Sequence, residues 1–298
     1  MAHTTVAGAE SGSTQAQLAA RYGLGAAGAR PSLATYTRTL WSYRHFILAY
    51  STARVTSSFS KTQLGQLWQV LTPLTNAAVY YLIFGLILQQ SRGVENFIPY
   101  LCTGLFLFSF TSGSALAGTT SITSNLGLIR AMHFPRASLP LAHTFTQLQN
   151  ALTAMVVLGA IVLISGEPLT LKWLLIVPIL ALLAVFNAGL TMLLARLGAR
   201  STDLKQVMPF VMRAWMYASG VLYSVDLFRA HLPGWAAQIL EFNPLLVYIE
   251  LGRYSLMESA PLASSPVELW LLGVGWALVM GIGGFIFFWR GEKEYGRG

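Results

Sequence analysis

The side chains able to do chemistry in this chain are few and scattered. Metal-assisted phosphoryl or glycosyl transfer needs paired carboxylates to hold a divalent cation, and the two aspartates, Asp203 and Asp226, fall in different segments between apolar runs. His45, His133, His143 and His231 lack metal-ligand spacing, and His3 lies in the first residues of the chain. Cys102 is the only cysteine and sits inside an apolar run, which rules out an intrachain disulfide or a cysteine zinc site and reads as a packing residue. No Gly-rich loop ending in Gly-Lys-Ser/Thr occurs, so no nucleotide is cradled by that route. We expect no catalytic residue, metal or cofactor in this chain. A proton-driven pump would have to rely on Glu241 or Glu250, because the first five apolar runs hold no acid away from their ends.

The elements that position these residues are read from composition. Hydrophobic residues make up 54% of the chain and charged ones 10%, against about 25% charged in soluble domains. Mean hydropathy is +0.57. The fold class expected is therefore an all-α integral membrane protein. The formal charge of +8 does not point to nucleic acid, because the basic residues separate by side of the membrane rather than gathering on one soluble face.

The stretch Asn125–Pro140 stands out. It lies between two long apolar segments yet carries Arg130, His133, Arg136 and two prolines, so it belongs in water. Leu126, Ile129 and Met132 or His133 recur one turn apart, which predicts a short amphipathic helix stopped by Pro135. Such a helix is shaped to be gripped by another protein. The plainer reading is a solvated loop whose arginines obey the orientation rule.

In chain order, residues 1–35 are rich in Ala, Gly, Ser and Thr and read as a disordered tail with no secretory signal. Tyr36, Leu40, Tyr43, Ile47 and Tyr50 then alternate by four and three among Arg38, Arg44 and Arg54, predicting an amphipathic helix over 36–64 that lies in the membrane interface on anionic lipid. Six spans follow, at about 67–88, 98–119, 141–164, 173–194, 206–223 and 269–289. The first carries a partly polar stripe that includes Thr72, Asn76 and Tyr80. The fifth carries two stripes: Phe210, Arg213 and Tyr217 on one, Met208, Met212 and Met216 on the other. A midspan arginine is costly in lipid, so Arg213 faces a wet cavity or an anionic group, or else snorkels to a headgroup or carbonyl. Residues 225–266 hold two apolar runs, 235–242 and 245–256, each too short to cross, which predicts a re-entrant hairpin broken at Asn243-Pro244.

Basic residues fix the orientation. With both termini and the loops near 122–140 and 196–205 in the cytoplasm, the outer side receives only Arg92, Lys172, Arg229 and Arg253 of the nineteen Lys and Arg. Arg196, Arg200, Asp203 and Lys205 are expected in a cytoplasmic loop.

Three stretches resemble one family. Lys61 to Pro73, with Leu-Gly-Gln-Leu-Trp68, is similar to a basic interface helix passing into the first span of ABC-2 or Wzm-like permeases, which move lipid-linked polysaccharide. Asn125–Pro140 resembles their coupling segment. Tyr217 to Val225, with Leu232-Pro233, Asn243-Pro244-Leu245 and Arg253, resembles their gate region. The likeness covers about residues 36–290 and departs from the family pattern at Ser219-Gly220 and at Ser201-Thr202-Asp203. The Ala- and Arg-rich composition and long tail look most like actinobacterial permeases for lipid-linked galactan.

The resemblance implies a partnership: a second copy of this chain, two copies of an ATPase subunit that holds ATP and Mg, membrane lipid and a lipid-linked glycan. It implies ATPase coupling through Asn125, Leu126, Leu128, Ile129, Arg130, Phe134, Pro135 and Arg136. A channel between protomers would be lined by Trp68, Thr72, Asn76, Tyr80, Phe210, Arg213, Tyr217 and Tyr223, with Arg213 drawing a lipid diphosphate, although for any one aromatic core packing or interface anchoring is the preferred reading. Leu232, Pro233, Glu241, Asn243, Pro244 and Arg253 would form the outer gate. An exporter of drugs or small lipids shares this topology, and a membrane glycosyltransferase is the reading from a different class.

Overall fold

The computed structural model describes residues 32–59, 63–83, 96–223, 225, 229, 233–258, 260–292 and 295. Among them the chain is helical, with no strand. We label the helices α1 (Leu33–Ser42), α2 (Arg44–Phe59), α3 (Trp68–Tyr80), α4 (Phe97–Thr120), α5 (Leu126–Ala131), α6 (Ser138–Ile164), α7 (Ile176–Arg200), α8 (Leu204–Ala218), α9 (Gly234–Glu241), α10 (Pro244–Leu256) and α11 (Pro266–Arg290).

Four helical stretches among the described residues are long and apolar enough to cross a membrane: Phe97–Thr120, Ser138–Ile164, Leu171–Arg200 and Pro266–Arg290. This is a multi-pass membrane protein. The expected fifth span is shorter: α8 is 15 residues and rises only about 22 Å against about 30 Å of hydrocarbon, while α3 covers 13 residues of the expected first span, of which 84–88 lie outside the described residues. α8 stops before residue 223 because Gly220 turns into left-handed backbone at φ 60°.

α7 is the hub. It packs most extensively on α11 and next on α4. A Cβ on Gly189 would strike the Met280 carbonyl, and one on Gly284 would strike Gly189 itself, so α7 and α11 meet backbone to backbone. On its other side Gly118 approaches the Thr191 carbonyl, Gly198 approaches that of Thr119, and the Thr191 hydroxyl donates to the Ser114 carbonyl at 3.2 Å. Small residues here do what burial of bulky side chains does in water, because lipid gives apolar helices no reason to leave it.

Two expectations are corrected. Arg196 is not in a loop: α7 continues to Arg200, and Arg196 is buried, with its guanidinium on the Phe287 carbonyl and 4.3 Å from the centroid of that ring. Residues 195–199, Ala-Arg-Leu-Gly-Ala, are compact enough for the helix to run on against Thr119. The interface helix is two helices, broken at Tyr43 and ending at Phe59. Its tyrosine stripe faces this chain rather than lipid headgroups: Tyr36 and Ile47 are buried, and Leu40, Tyr43 and Tyr50 are half-buried. Sequence gave no soluble domain to receive that stripe. The receiving surface is a second hydrophobic cluster, formed by Ile122, Ile129, Leu139, Met192, Phe288 and Tyr295 where the long helices end.

Gly189→Val or Gly284→Val should push α7 from α11 and lower stability in detergent by about 2–3 kcal/mol, as overpacking does. Gly283→Ala, where nothing lies within 4 Å of the added carbon, should leave the thermal midpoint unchanged or raise it.

Candidate functional site

Two places gather the residues of interest, at opposite ends of the helices. The first is the segment between α4 and α6. A 3-10 turn over Thr123–Asn125 leads into α5, which ends at Ala131. Met132 is extended, at φ −131° and ψ 142°, so the helix stops well before Pro135. The residue preceding a proline is driven to extended backbone, and the Phe134-Pro135 pair keeps the segment open until the turn at Arg136 and Ala137 leads into α6.

The apolar side of α5 is turned inward. Ile129 is buried, Leu126, Leu128 and Phe134 are half-buried, and Pro135 is buried. Asn125 accepts the Tyr50 hydroxyl at 2.8 Å and donates to the Ser121 carbonyl at 2.8 Å. The face left outward is Gly127, Arg130, Ala131, Met132 and His133. Of the expected coupling residues, Arg130 is thus displayed, while Asn125, Ile129 and Pro135 position it.

The following strand is held by the two ends of the described chain. Tyr36 donates its hydroxyl to the Glu292 carboxylate at 2.8 Å and accepts the Ala137 N–H at 3.1 Å. The other Glu292 oxygen accepts the Arg136 N–H at 3.1 Å, and the Arg136 guanidinium donates to the Glu292 carbonyl. Tyr43 donates to the His133 carbonyl at 3.2 Å. A cleft of about 420 Å³ opens between α1 and this strand, with Tyr43, Met132, His133 and Glu292 among its walls. Burial pushes the Glu292 carboxyl above the usual carboxylate range against the opposing pull of the Arg136 N–H, and burial beside Glu292 pushes the Tyr36 phenol up, so Tyr36 stays a donor. Glu292 went unnoticed in the sequence because it reads as one charge among those that follow the last span. Its partners lie 256 and 156 residues away.

At the other end, α8 ends inside the bundle and leaves carbonyls that its own helix cannot satisfy. Asn243 donates to the Ala218 carbonyl at 2.9 Å and the Ser219 hydroxyl at 3.0 Å, while its oxygen accepts the Trp215 indole at 2.9 Å and caps α10 through Leu245 N–H at 3.1 Å. Arg253 is fully buried. It donates to the carbonyls of Gly220 at 2.9 Å, Val221 at 3.1 Å and Tyr100 at 3.3 Å, over the Tyr100 ring. A guanidinium among carbonyls at a helix C-terminus is favoured by both its fork and its charge. Glu241 pairs with Arg229 at 2.7 Å, and Pro244 occupies the first position of α10. Pro233 precedes α9 and is exposed, while Leu232 lies outside the described residues.

The expected channel residues fall on two outward faces. On α8, Phe210, Arg213 and Tyr217 are exposed while Met208, Met212 and Met216 are buried, which reproduces the two stripes of the sequence. Trp68, Thr72 and Asn76 are exposed on α3 and line a cleft of about 190 Å³ against α4 and α6. The Tyr80 side chain lies outside the described residues. Tyr223 is engaged: its hydroxyl donates to the Tyr217 carbonyl, and Tyr100 donates to its own carbonyl at 3.3 Å. Its hydroxyl therefore braces the turn after α8.

A chain of apolar spans with a short helical segment between two of them and a helix pair before the last belongs to a known class. Residues 47–257 match the ABC-2 type transporter family, and the chain belongs to it. It is similar to the O-antigen export system permease protein RfbA of Klebsiella pneumoniae, 27% identical over 188 residues that cover 63% of this chain and 70% of that one. It is likewise 27% identical over 192 residues to RfbA of Myxococcus xanthus, covering 63% and 72%. The polysialic acid transport protein KpsM of Escherichia coli is 22% identical over 204 residues, covering 68% and 78%.

Arg253→Met should cost about 3 kcal/mol of stability, since three buried carbonyls lose a charged donor, and Arg253→Lys should recover little of it. Arg229→Met, at a half-exposed pair, should cost about 1 kcal/mol or less in the same denaturant titration. For Glu292 the folded carboxyl binds its proton more tightly than the unfolded one. Its contribution is complete below the ordinary glutamate value and declines as pH rises toward the raised value. Glu292→Gln should therefore flatten the fall in thermal midpoint as pH rises above the ordinary glutamate range.

Proposed function

We propose that this chain is the permease subunit of an ATP-driven exporter that carries polyprenyl-diphosphate-linked polysaccharide, of the O-antigen, galactan or teichoic-acid type, from the cytoplasm to the outer side of the plasma membrane. The observation that carries the reading is the family match over 47–257, joined to relatives named for O-antigen and polysialic acid export. Two copies assemble with two copies of a separate ATPase subunit, which holds ATP and Mg.

Six spans with both ends in the cytoplasm complete the topology, α3 and α8 contributing the first and fifth, and α9 with α10 forming a re-entrant outer hairpin. The support for orientation is the bias of Lys and Arg. The outward faces of α3 and α8 then meet across the dimer. Phe210 and Tyr217 offer ring faces to sugars with little demand on sequence, and Arg213 offers a fork to the lipid diphosphate. The displayed Arg130 and His133 contact the ATPase, with Asn125, Leu126, Leu128, Ile129, Phe134, Pro135 and Arg136 shaping the segment that presents them.

The test is copurification of the tagged chain with the ATPase of its own cells, followed by ATP turnover with and without lipid-linked glycan from those cells. Stable association and stimulation by glycan are the expected results, with Arg130→Glu plus His133→Glu weakening association by about tenfold or more. A chain that purifies alone and binds no ATPase would sink the reading.

A further inference from the structure

Apart from the segment that receives the ATPase, the structure contains a second junction at the same end of the bundle. The segment from Met132 to Ala137 is tied to the flanking helices by backbone through the Met132 N–H and the Pro135, Arg136 and Ala137 carbonyls. Its Arg136 and Ala137 N–H groups are given to side chains, Glu292 and Tyr36, and its His133 carbonyl accepts from Tyr43. Glu292 follows α11 directly, two residues beyond Arg290, and Tyr36 lies in the first turn of α1. Both side chains are almost fully buried, at 9% and 2% exposure. The Tyr36 hydroxyl is the pivot, donating to Glu292 and accepting from Ala137 at once.

We propose that Glu292 and Tyr36 are positioning residues that clamp the Phe134–Ala137 strand to α1 and α11, so that a displacement of the coupling segment is delivered to the last span as well as to α4 and α6. The proposal rests on the ATPase-driven reading above. Without the clamp, a push on α5 reaches α11 only through the apolar cluster that Ile129 shares with Phe288, which holds by packing and has no directional bond. With it, the push reaches α11 through Glu292. α11 is locked to α7 at Gly189 and Gly284, so α7 moves too. The clamp also places the Glu292 carboxylate beside the first turn of α6, where a negative charge is favoured by the helix dipole. The stacked pair Phe288 and Tyr295, centroids 4.6 Å apart, braces the chain on both sides of Glu292, and Tyr295 donates to the Phe288 carbonyl at 3.0 Å.

The experiment uses the whole complex, copurified from its own cells and placed in vesicles with the polyprenyl-lipid extract of those cells as probe. Tyr36→Phe removes the pivot hydroxyl with little change of shape. Glu292→Ala removes both acceptors, and Glu292→Gln keeps an oxygen for the Arg136 N–H. Expected for Tyr36→Phe and Glu292→Ala are wild-type ATPase stoichiometry and basal ATP turnover, with stimulation by the extract reduced about tenfold, within the usual range of coupling between sites. Glu292→Gln should restore at least about half of that stimulation. Nitroxide labels at the exposed positions Thr39 and Gly127 should give a narrow distance distribution in wild type and a broad one in Tyr36→Phe.

Stimulation equal to wild type in both variants would overturn the proposal. So would loss of binding, basal turnover and stimulation in one proportion, the mark of a purely structural role. A wild-type chain that binds no ATPase would instead overturn the reading on which the clamp rests.

Discussion

A helix that ends away from water leaves carbonyls that something must satisfy, and one end of this molecule is arranged around one such ending. α8 stops at Ala218, short of the length needed to cross a bilayer alone. The carbonyls of Ala218, Gly220 and Val221 are taken by Asn243 and Arg253, both from the helix pair that follows. The same two side chains reach further: Asn243 binds the Trp215 indole on α8 and caps α10, and Arg253 reaches Tyr100 on α4. Arg253 fills its Nε and Nη2 donors in this way, which ties the position of α10 to the end of α8. α10 also packs on α4, α7 and α11, so the hairpin anchors the end of α8 to the long helices.

The other end solves the opposite problem. There the chain must hold an irregular segment in place, and irregular backbone has no ladder of its own. Side chains supply the missing partners. Tyr50 fixes Asn125, Tyr43 fixes His133, and Tyr36 with Glu292 fixes Arg136 and Ala137. Three tyrosines on one stripe of α1 and α2 thus serve as struts, each with its ring packed and its hydroxyl spent on the segment. Aromatic side chains suit this use because their bodies bury area while two torsions are all that must be ordered.

How much of this was legible in sequence follows from the range of the interactions. The Met and Phe210-Arg213-Tyr217 stripes of α8 are local periodicities, and the structure turns them inward and outward as their types require. The Tyr36 to Tyr50 stripe was equally plain as a pattern. Its partner was not: sequence offered lipid as the only receiving surface, because the cluster around Ile129 and Phe288 is assembled from the ends of four separated segments. Arg253 and Arg196 show the same limit. Each looked like a charge outside the membrane by its place in the chain, and each is buried on carbonyls that only the tertiary fold brings near.

These two ends share one central element. α7 touches α4 and α11 at glycines, with no side chain between the backbones, so neither contact can slide or tilt without a clash. A helix held this way is a poor place for a soft joint. The softer elements are those with few neighbours in the described chain, α3 and α8, whose outward faces carry Trp68, Asn76, Phe210 and Tyr217. Among the described residues this gives a stiff frame of α4, α6, α7 and α11 with α10 packed on it, and two more lightly packed elements, α3 and α8. In the exporter reading, a push from the coupling segment is carried by the frame, and the bonds at Asn243 and Arg253 pass it to the end of α8.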